Sequence, residues 1–316
     1  MRRPRTRRRG ASSGIDEVAR VTQRLAVLLS AGVSPTSAWQ HLVQVEPSPT
    51  AHIIEAAIIA GKKGNGIADA VAAEAGAVGG QVGDAWLGLA AAWRVATEAG
   101  APLAACLRDL AASFRELGRL HADLTVALAG PAATARMVMV LPAIGLLLGS
   151  LMGFNTLRML FLTVPGWICL VVGAALMFAA DRWNRHLVSA ARARDPTPGL
   201  EFELMAIAMG GGGSVDRARA LVDDTIGRFA LHRAHSTAAI DQVLELSVRA
   251  GVPAAELLRA EAEQLRQDAR AEGQRRAATL GVTLMVPLGV CVLPAFMLVG
   301  VVPLVMTVLS STLTTF

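Results

Sequence analysis

Charged residues are almost absent from two long stretches of this sequence. Arg158 is the one charged residue between Met137 and Ala180, and none occurs from Ala277 to Phe316. Each half of the first stretch is about as long as the ~20 residues that cross a ~30 Å hydrocarbon core. Buried helices of soluble proteins rarely run this long without a polar face. The absence of charge therefore favours a membrane protein over a pair of buried soluble helices.

The same stretches contain no Asp, Glu, Lys or His. A proton- or ion-coupled transporter usually keeps such groups near the bilayer midplane, where they bind the transported ion. Prolines interrupt the stretches, but without polar partners they indicate kinked helices rather than a substrate site. A small transporter or permease with four crossings stays the alternative hypothesis.

Residues that could carry chemistry are missing as well. No set of nucleophile, base and orienting group can be assembled from the sequence. The segment from Gly61 to Gly66, GKKGNG, lacks the spacing and the preceding strand of a phosphate-binding loop. His232 and His235 have no carboxylate or cysteine at metal-ligand spacing. The sequence therefore predicts no enzyme, no cofactor and no metal site.

Cysteine is scarce, with three residues in the chain. Cys169 and Cys291 lie in apolar stretches and Cys106 lies in a helical one, so no disulfide framework is indicated. Free thiols fit soluble parts that face a reducing cytoplasm.

The first apolar stretch is predicted to form a transmembrane hairpin with helices at 134–154 and 159–180. The distribution of arginine sets its orientation, because cytoplasmic loops carry an excess of Arg and Lys. Arg158 lies at the tip, whereas the two ends are flanked by Arg136, Arg182, Arg185, Arg192 and Arg194. Both ends are therefore predicted to be cytoplasmic.

The carboxyl-terminal apolar block, 280–309, is predicted to cross the membrane once or to form a tight hairpin broken near Pro294 or Pro303. No Lys or Arg follows the block to hold a returning end in the cytoplasm, which favours one crossing.

At the amino end, six of the first ten residues are arginine. Residues 1–14 are predicted to form a disordered basic tail in solvent. Contact with anionic lipid and binding of nucleic acid are the alternatives.

Helical bundles are predicted at 15–130 and 195–278. The clearest helix runs from Leu103 to Leu128, where apolar residues recur at alternating steps of three and four. A single apolar stripe, with charged residues off it, is typical of a helix packed on a bundle.

The second bundle repeats the first. An offset of 180 residues aligns LAVLLSAGVS, from Leu25, with MAIAMGGGGS, and an offset of 151 aligns VATEAGAPLAACL, from Val95, with LSVRAGVPAAELL. Both copies place a glycine corner before a helix. The predicted structural corners are Gly32, Gly100, Pro102, Gly212, Gly251 and Pro253. The glycine run 210–213 is predicted to be a flexible turn.

The composition fits a mosaic of membrane and water-exposed segments, since 53% of the residues are apolar and 17% are charged. The sequence therefore predicts an all-α membrane protein. Two repeated cytoplasmic helical bundles flank a transmembrane hairpin, and a C-terminal transmembrane segment follows.

Five stretches of the chain carry a family resemblance. They are LAVLLSAGVSPTSAW, AGKKGNGIADAVAAEA, WRVATEAGAPLAACLRDLAASFRE, ELSVRAGVPAAELLRAEAEQLR and TLGVTLMVPLGVCVLPAFMLVGVVPLV. They resemble the type II secretion F family, the platform proteins of type II secretion and of type IV or Tad/Flp pilus machines. The resemblance runs from Val18 to Leu309, and the Tad-type (TadB/TadC-like) members are the most similar in composition. The glycine run 210–213 departs from the Ala-Gly corner of the family.

The resemblance implies a non-enzymatic scaffold in the bacterial inner membrane with three crossings. It implies a separate cytoplasmic hexameric secretion ATPase, a sister platform subunit or a homo-oligomer, and pilin-like subunits as cargo. The family has no catalytic residues to carry over. A membrane-tethered DNA-binding protein is a third hypothesis, although the sequence predicts the lipid bilayer and not nucleic acid as a partner.

The charged outer faces of the long helices are candidate partner-docking surfaces. The residues are Arg108, Glu116, Arg119, Glu261, Arg266 and Arg270. The alternative for each residue is a solvated surface position without a partner.

Overall fold

A computed structural model of the chain describes residues 7–42, 50–127, 144, 163–192, 197–232, 237–283, 285–303 and 305. Every regular element in these ranges is a helix, and no strand occurs among them. The all-α prediction is confirmed for this part of the chain. The predicted first crossing, 134–154, and the hairpin tip lie outside the described residues, apart from Ile144.

Within the described ranges, six helices precede the hairpin region. They are α1 (Arg7–Ser30), α2 (Pro35–Gln40), α3 (Ala51–Lys62), α4 (Ile67–Val78), α5 (Gly80–Ala99) and α6 (Leu103–Ala127). α1 begins at Arg7, whereas the sequence analysis placed residues 1–14 in a disordered tail. Arginine is a good helix former, so the basic residues can extend the helix that follows them.

Six more helices follow. They are α7 (Val164–Arg192), α8 (Leu200–Gly210), α9 (Val215–Arg228), α10 (Thr237–Ala250), α11 (Ala254–Thr283) and α12 (Met285–Val301). Two π-helical turns, Leu288–Val292 and Met297–Val301, lie within α12.

The chain divides into two compact units. The first contains Met1–Ala122 and Asp195–Ala271, and the second contains Asp123–Arg194 and Glu272–Phe316. The sequence analysis treated 15–130 and 195–278 as separate bundles. In the structure both contribute to one hydrophobic core in the first unit.

α5 explains why the two copies share this core. Eleven of its side chains or glycines are buried, and they lie on several sides of the helix. A helix that is apolar on most sides must be covered on most sides. α5 contacts α1 and α4 from its own copy and α8 and α9 from the other.

The first pair of corners has the same backbone geometry in both copies. Gly32 and Gly212 adopt left-handed conformations, with φ of +84° and +80°. Ser34 and Ser214 then cap the next helix, each accepting a hydrogen bond from the backbone N–H three residues on, at 3.3 and 3.4 Å. Glycine ends one helix without strain and serine begins the next.

The second pair of corners also matches. Gly100 and Gly251 have φ of +72° and +70°. The N–H of the residue after each glycine donates to the carbonyl five residues earlier, at 2.9 and 3.3 Å. This is the hydrogen bond of a Schellman helix end. Pro102 and Pro253 then precede α6 and α11.

The glycine run at the end of α8 has a packing role that the sequence analysis missed. Gly211 has an ordinary φ of −80°, but a Cβ built on it would collide with the backbone carbonyl oxygen of Ala99. The end of α8 therefore lies directly against the end of α5. This segment was predicted only as a flexible turn, because its contact partner lies over a hundred residues away in sequence.

Two ion pairs join the copies across this contact region. Arg94 of α5 pairs with Asp224 of α9 at 2.7 Å, and Arg228 of α9 pairs with Asp69 of α4 at 2.9 Å. The Arg94 guanidinium also lies 6.0 Å from the centre of the Phe229 ring. Such pairs fix the orientation of surfaces that apolar contacts bring together.

We expect Gly211→Ala to lower the free energy of unfolding by about 1–3 kcal/mol, because overpacking forces the two helix ends apart. Gly213→Ala is the matched control, since a Cβ there would meet its nearest atom, Arg217 Cδ, at 3.9 Å. Thermal unfolding of the full chain in detergent, followed by tryptophan fluorescence, measures both. Equal midpoints for the two variants would contradict the close approach.

Candidate functional site

The long helices α6 and α11 are joined by ion pairs within the first unit. Arg270 Nη1 lies 2.8 Å from Glu116 Oε1, and Arg259 Nε lies 3.8 Å from Asp109 Oδ2. In each pair α6 provides the carboxylate and α11 provides the guanidinium. The face of α6 that carries its acids is therefore turned toward α11.

A third pair, between α8 and α11, is buried. Arg266 Nη1 lies 2.9 Å from Glu203 Oε2, and the side chains are 15% and 3% exposed. Arg266 also pairs with Glu263 at 3.0 Å. A carboxylate this deeply buried must stay paired, because an uncompensated charge in the interior is costly.

All of these charged side chains except Arg270 border a cleft of about 470 Å³. A smaller cavity of about 50 Å³ lies beside it, with mainly apolar walls that include Leu110, Phe114 and Leu200. The carboxylates and guanidinium groups of the cleft pair with one another. Among the residues that the structure describes, no group of three or more His, Cys, Asp or Glu could hold a metal ion.

The same contacts shift two pKa values. Burial would raise the pKa of Glu263, but hydrogen bonds from Gln267 and Arg266 to its carboxylate outweigh this effect, so the pKa lies below its usual value. Burial raises the pKa of the Cys106 thiol, and the nearby positive charge of Arg259 offsets only part of the rise. Cys106 is therefore a neutral thiol packed beside the α6–α11 contact.

The six predicted docking residues fall into two groups. Three are engaged in ion pairs within the first unit: Glu116, Arg266 and Arg270. The other three, of which both arginines are exposed and the glutamate is half-buried, are Arg108, Arg119 and Glu261. Half of the set is therefore engaged in ion pairs within the first unit.

Glu203 was absent from the sequence-based set. Its helix, LEFELMAIAMG, is buried along most of its length, and Glu201 and Glu203 are its two carboxylates. Both are buried, at 7% and 2% exposure. The sequence did contain a signal for this ion pair, namely two acidic residues within an apolar helix. Buried carboxylates are found almost only where a charged or hydrogen-bonding partner is present.

In the second unit, α7 contains the one described helix long and apolar enough to cross a membrane, Gly166–Leu187. The sequence analysis placed this crossing at 159–180. α7 continues past Asp181 without a break, and Asp181 pairs with Arg185 one turn later at 2.5 Å. Pairs at this spacing support a helix beyond its apolar part.

Most of the apolar side chains of α7 are uncovered. Exposed examples are Val164, Trp167, Ile168, Val171, Val172 and Phe178. An uncovered face of this size is rare in a soluble monomer and marks a surface for lipid or for other helices.

α12 packs against the other side of α7. Ala180 is buried in a small cluster with Cys291 and Val292, and a Cβ on Gly173 would collide with the side chain of Val299. Small residues on α7 therefore allow α12 to approach closely, as is common between membrane helices.

Comparison with known families gives a match along both copies of the repeat. The family described as Type II secretion system (T2SS), protein F matches residues 21–150 and 189–302, well over half of the chain. The chain belongs to this family. A search of curated proteins finds no similar sequence.

The family match fits the two copies of the repeat. The first matched segment covers the last ten residues of α1 and all of α2 to α6, and the second covers α8 to α12. Proteins of this family are non-catalytic platform proteins of the inner membrane. The predicted relation to the type II secretion F family is confirmed.

We expect Arg266→Met to lower the free energy of unfolding by about 3–5 kcal/mol, because it leaves the buried Glu203 carboxylate without its partner. Arg249→Met is the matched control. Arg249 pairs with Glu245 at 3.8 Å, and both side chains are 69% exposed, so its loss should cost about 0–1 kcal/mol. Denaturant unfolding of the full chain in detergent measures both, and similar costs would contradict a buried pair.

We expect Cys106 to react with iodoacetamide at least about tenfold more slowly than an exposed thiol on the same helix, because only the accessible thiolate attacks. Cys169 and Cys291 are replaced by serine, and Ala112→Cys in a cysteine-free chain is the control. Since burial raises the Cys106 pKa, its labelling rate should still rise at pH values where the control has levelled off. Parallel rate–pH curves would contradict this.

Proposed function

We propose that the chain is a non-enzymatic platform protein that couples a cytoplasmic secretion ATPase to the assembly of pilin-like subunits. The family match to residues 21–150 and 189–302 carries this proposal. Among the family's machines we favour a Tad/Flp pilus system, on the similarity in composition to its TadB/TadC-like members. The ATPase supplies the energy, and the platform protein holds the ATPase and the pilin-like subunits in position by binding them.

The topology that we propose has several crossings. The first unit and the amino terminus lie in the cytoplasm, and 134–154, 159–180 and 280–309 contain the membrane segments. The exposed apolar face of α7 supports a bilayer-facing helix at the second of these. Arginines on both sides of the hairpin support the orientation.

The partners that we propose follow from this role. They are a hexameric ATPase on the cytoplasmic side, pilin-like subunits in the membrane, and a sister platform subunit or a second copy of the chain. Arg108, Arg119 and Glu261 are the docking candidates outside the ion pairs described above. Glu116, Arg266 and Arg270 stay candidates only if a partner replaces their present contacts.

The experiment is an in-frame deletion in the native bacterium, complemented with the wild-type chain. We expect pilin assembly or secretion to be lost on deletion and restored by complementation, while the amounts of pilin and ATPase stay unchanged. The ATPase should also co-purify with the tagged chain in mild detergent. The isolated ATPase should keep its activity, because the chain provides no catalytic group.

Normal assembly in the deletion strain would refute the proposal. So would a strain whose sole defect is uptake of a solute, since that result would support the transporter hypothesis instead.

A further inference from the structure

α6 carries a row of arginines beside the face that carries Asp109 and Glu116. Arg108, Arg115 and Arg119 are exposed. Spacings of seven and four residues place them on one face of the helix, over about 16 Å at 1.5 Å per residue. We call these three residues the α6 arginine row.

The internal repeat places the same row on α11. The offset of 151 residues that aligns the corners also aligns Arg108, Arg115 and Arg119 with Arg259, Arg266 and Arg270. Arginine is therefore present at all three positions in both copies.

The two rows differ in what they contact. On α11, Arg259 and Arg270 pair with Asp109 and Glu116 of α6, and Arg266 pairs with Glu203. The two α6 acids are seven residues apart, so they lie on one face of that helix. The α11 row thus shows how this arrangement of arginines binds: it takes a helix with carboxylates at i and i+7.

No ion pair joins the α6 row to a carboxylate whose side chain the structure describes; the side chain of Asp123, four residues after Arg119, lies outside that description. Asp109 and Glu116 of α6 are already paired with α11. Their equivalents on α11 are Ala260 and Gln267, so α11 cannot make the reciprocal pairs. Asp16 of α1 lies against Gly118, at the edge of the row.

We propose that the α6 arginine row docks a helix of a partner protein that presents carboxylates seven residues apart. The α6 acids of a second copy cannot supply these carboxylates, because Asp109 and Glu116 are already paired with α11 of the same copy. The inference deepens the proposed function and rests on it for the existence of a protein partner.

The test uses the full chain in the membranes of its native bacterium. A photo-crosslinking amino acid replaces the exposed Ala122, three residues after Arg119, and mass spectrometry identifies the peptide that it captures. We expect a segment with helical periodicity and carboxylates at i and i+7. Arg115→Glu with Arg119→Glu should reduce the adduct about tenfold or more, because attraction becomes repulsion. Replacing the two captured carboxylates by arginine should restore it.

Arg20→Glu with Arg24→Glu is the matched control. These arginines are exposed on α1 with the same spacing of four residues, so the double variant changes the net charge equally. It should leave the adduct unchanged.

Four results would overturn the inference: no protein adduct, an adduct to lipid, an adduct to a segment without the paired carboxylates, or equal loss in the control variant. The proposed function is judged separately by the deletion strain. Assembly that depends on the chain, together with any of these results, would refute the docking row and leave the platform role standing.

Discussion

The close approach of α5 and α8 determines how the two copies of the repeat meet. At Gly211 the backbone lies against the carbonyl oxygen of Ala99, so a side chain there would separate the helix ends. Most of the buried positions on α5 are alanine or glycine. Each such contact buries little apolar area, so stability requires contacts along the whole helix from both copies. α5 is therefore a shared central helix, and the first unit has one core where two repeated sequences suggested two.

Once the copies are held at this distance, electrostatics selects their orientation. Pairs at the surface, such as Arg228 with Asp69, contribute about 0–1 kcal/mol each. The buried pair of Glu203 and Arg266 acts differently. Its net contribution to stability is small, but an arrangement that leaves either charge unpaired in the interior is strongly disfavoured. Apolar contacts thus bring α8 and α11 together, and the ion pair disfavours alternative alignments of these helices.

The sequence alone was enough to predict a structural feature where that feature depends on neighbouring residues in the chain. Gly32 and Gly100 were recognisable as corners because left-handed backbone is easy for glycine and costly for other residues. The role of Gly211 was not recognisable, because its φ is ordinary and its constraint is an atom of Ala99. The arginines at 108 and 259 show the same limit: they have equivalent places in the repeat, yet one is exposed and the other is paired with Asp109.

That difference follows from how the copies diverged. If α6 and α11 had kept the same acids, each helix could pair with the arginines of the other. Both arginine rows would then form ion pairs within the molecule. At these two aligned positions α6 has Asp109 and Glu116, while α11 has Ala260 and Gln267. The acids of α6 therefore pair with arginines of α11, whereas α11 offers no acids at the equivalent positions to the arginines of α6. The α6 arginine row is left exposed. The asymmetry turns a duplicated helix into a structural contact in one copy and an exposed cationic face in the other.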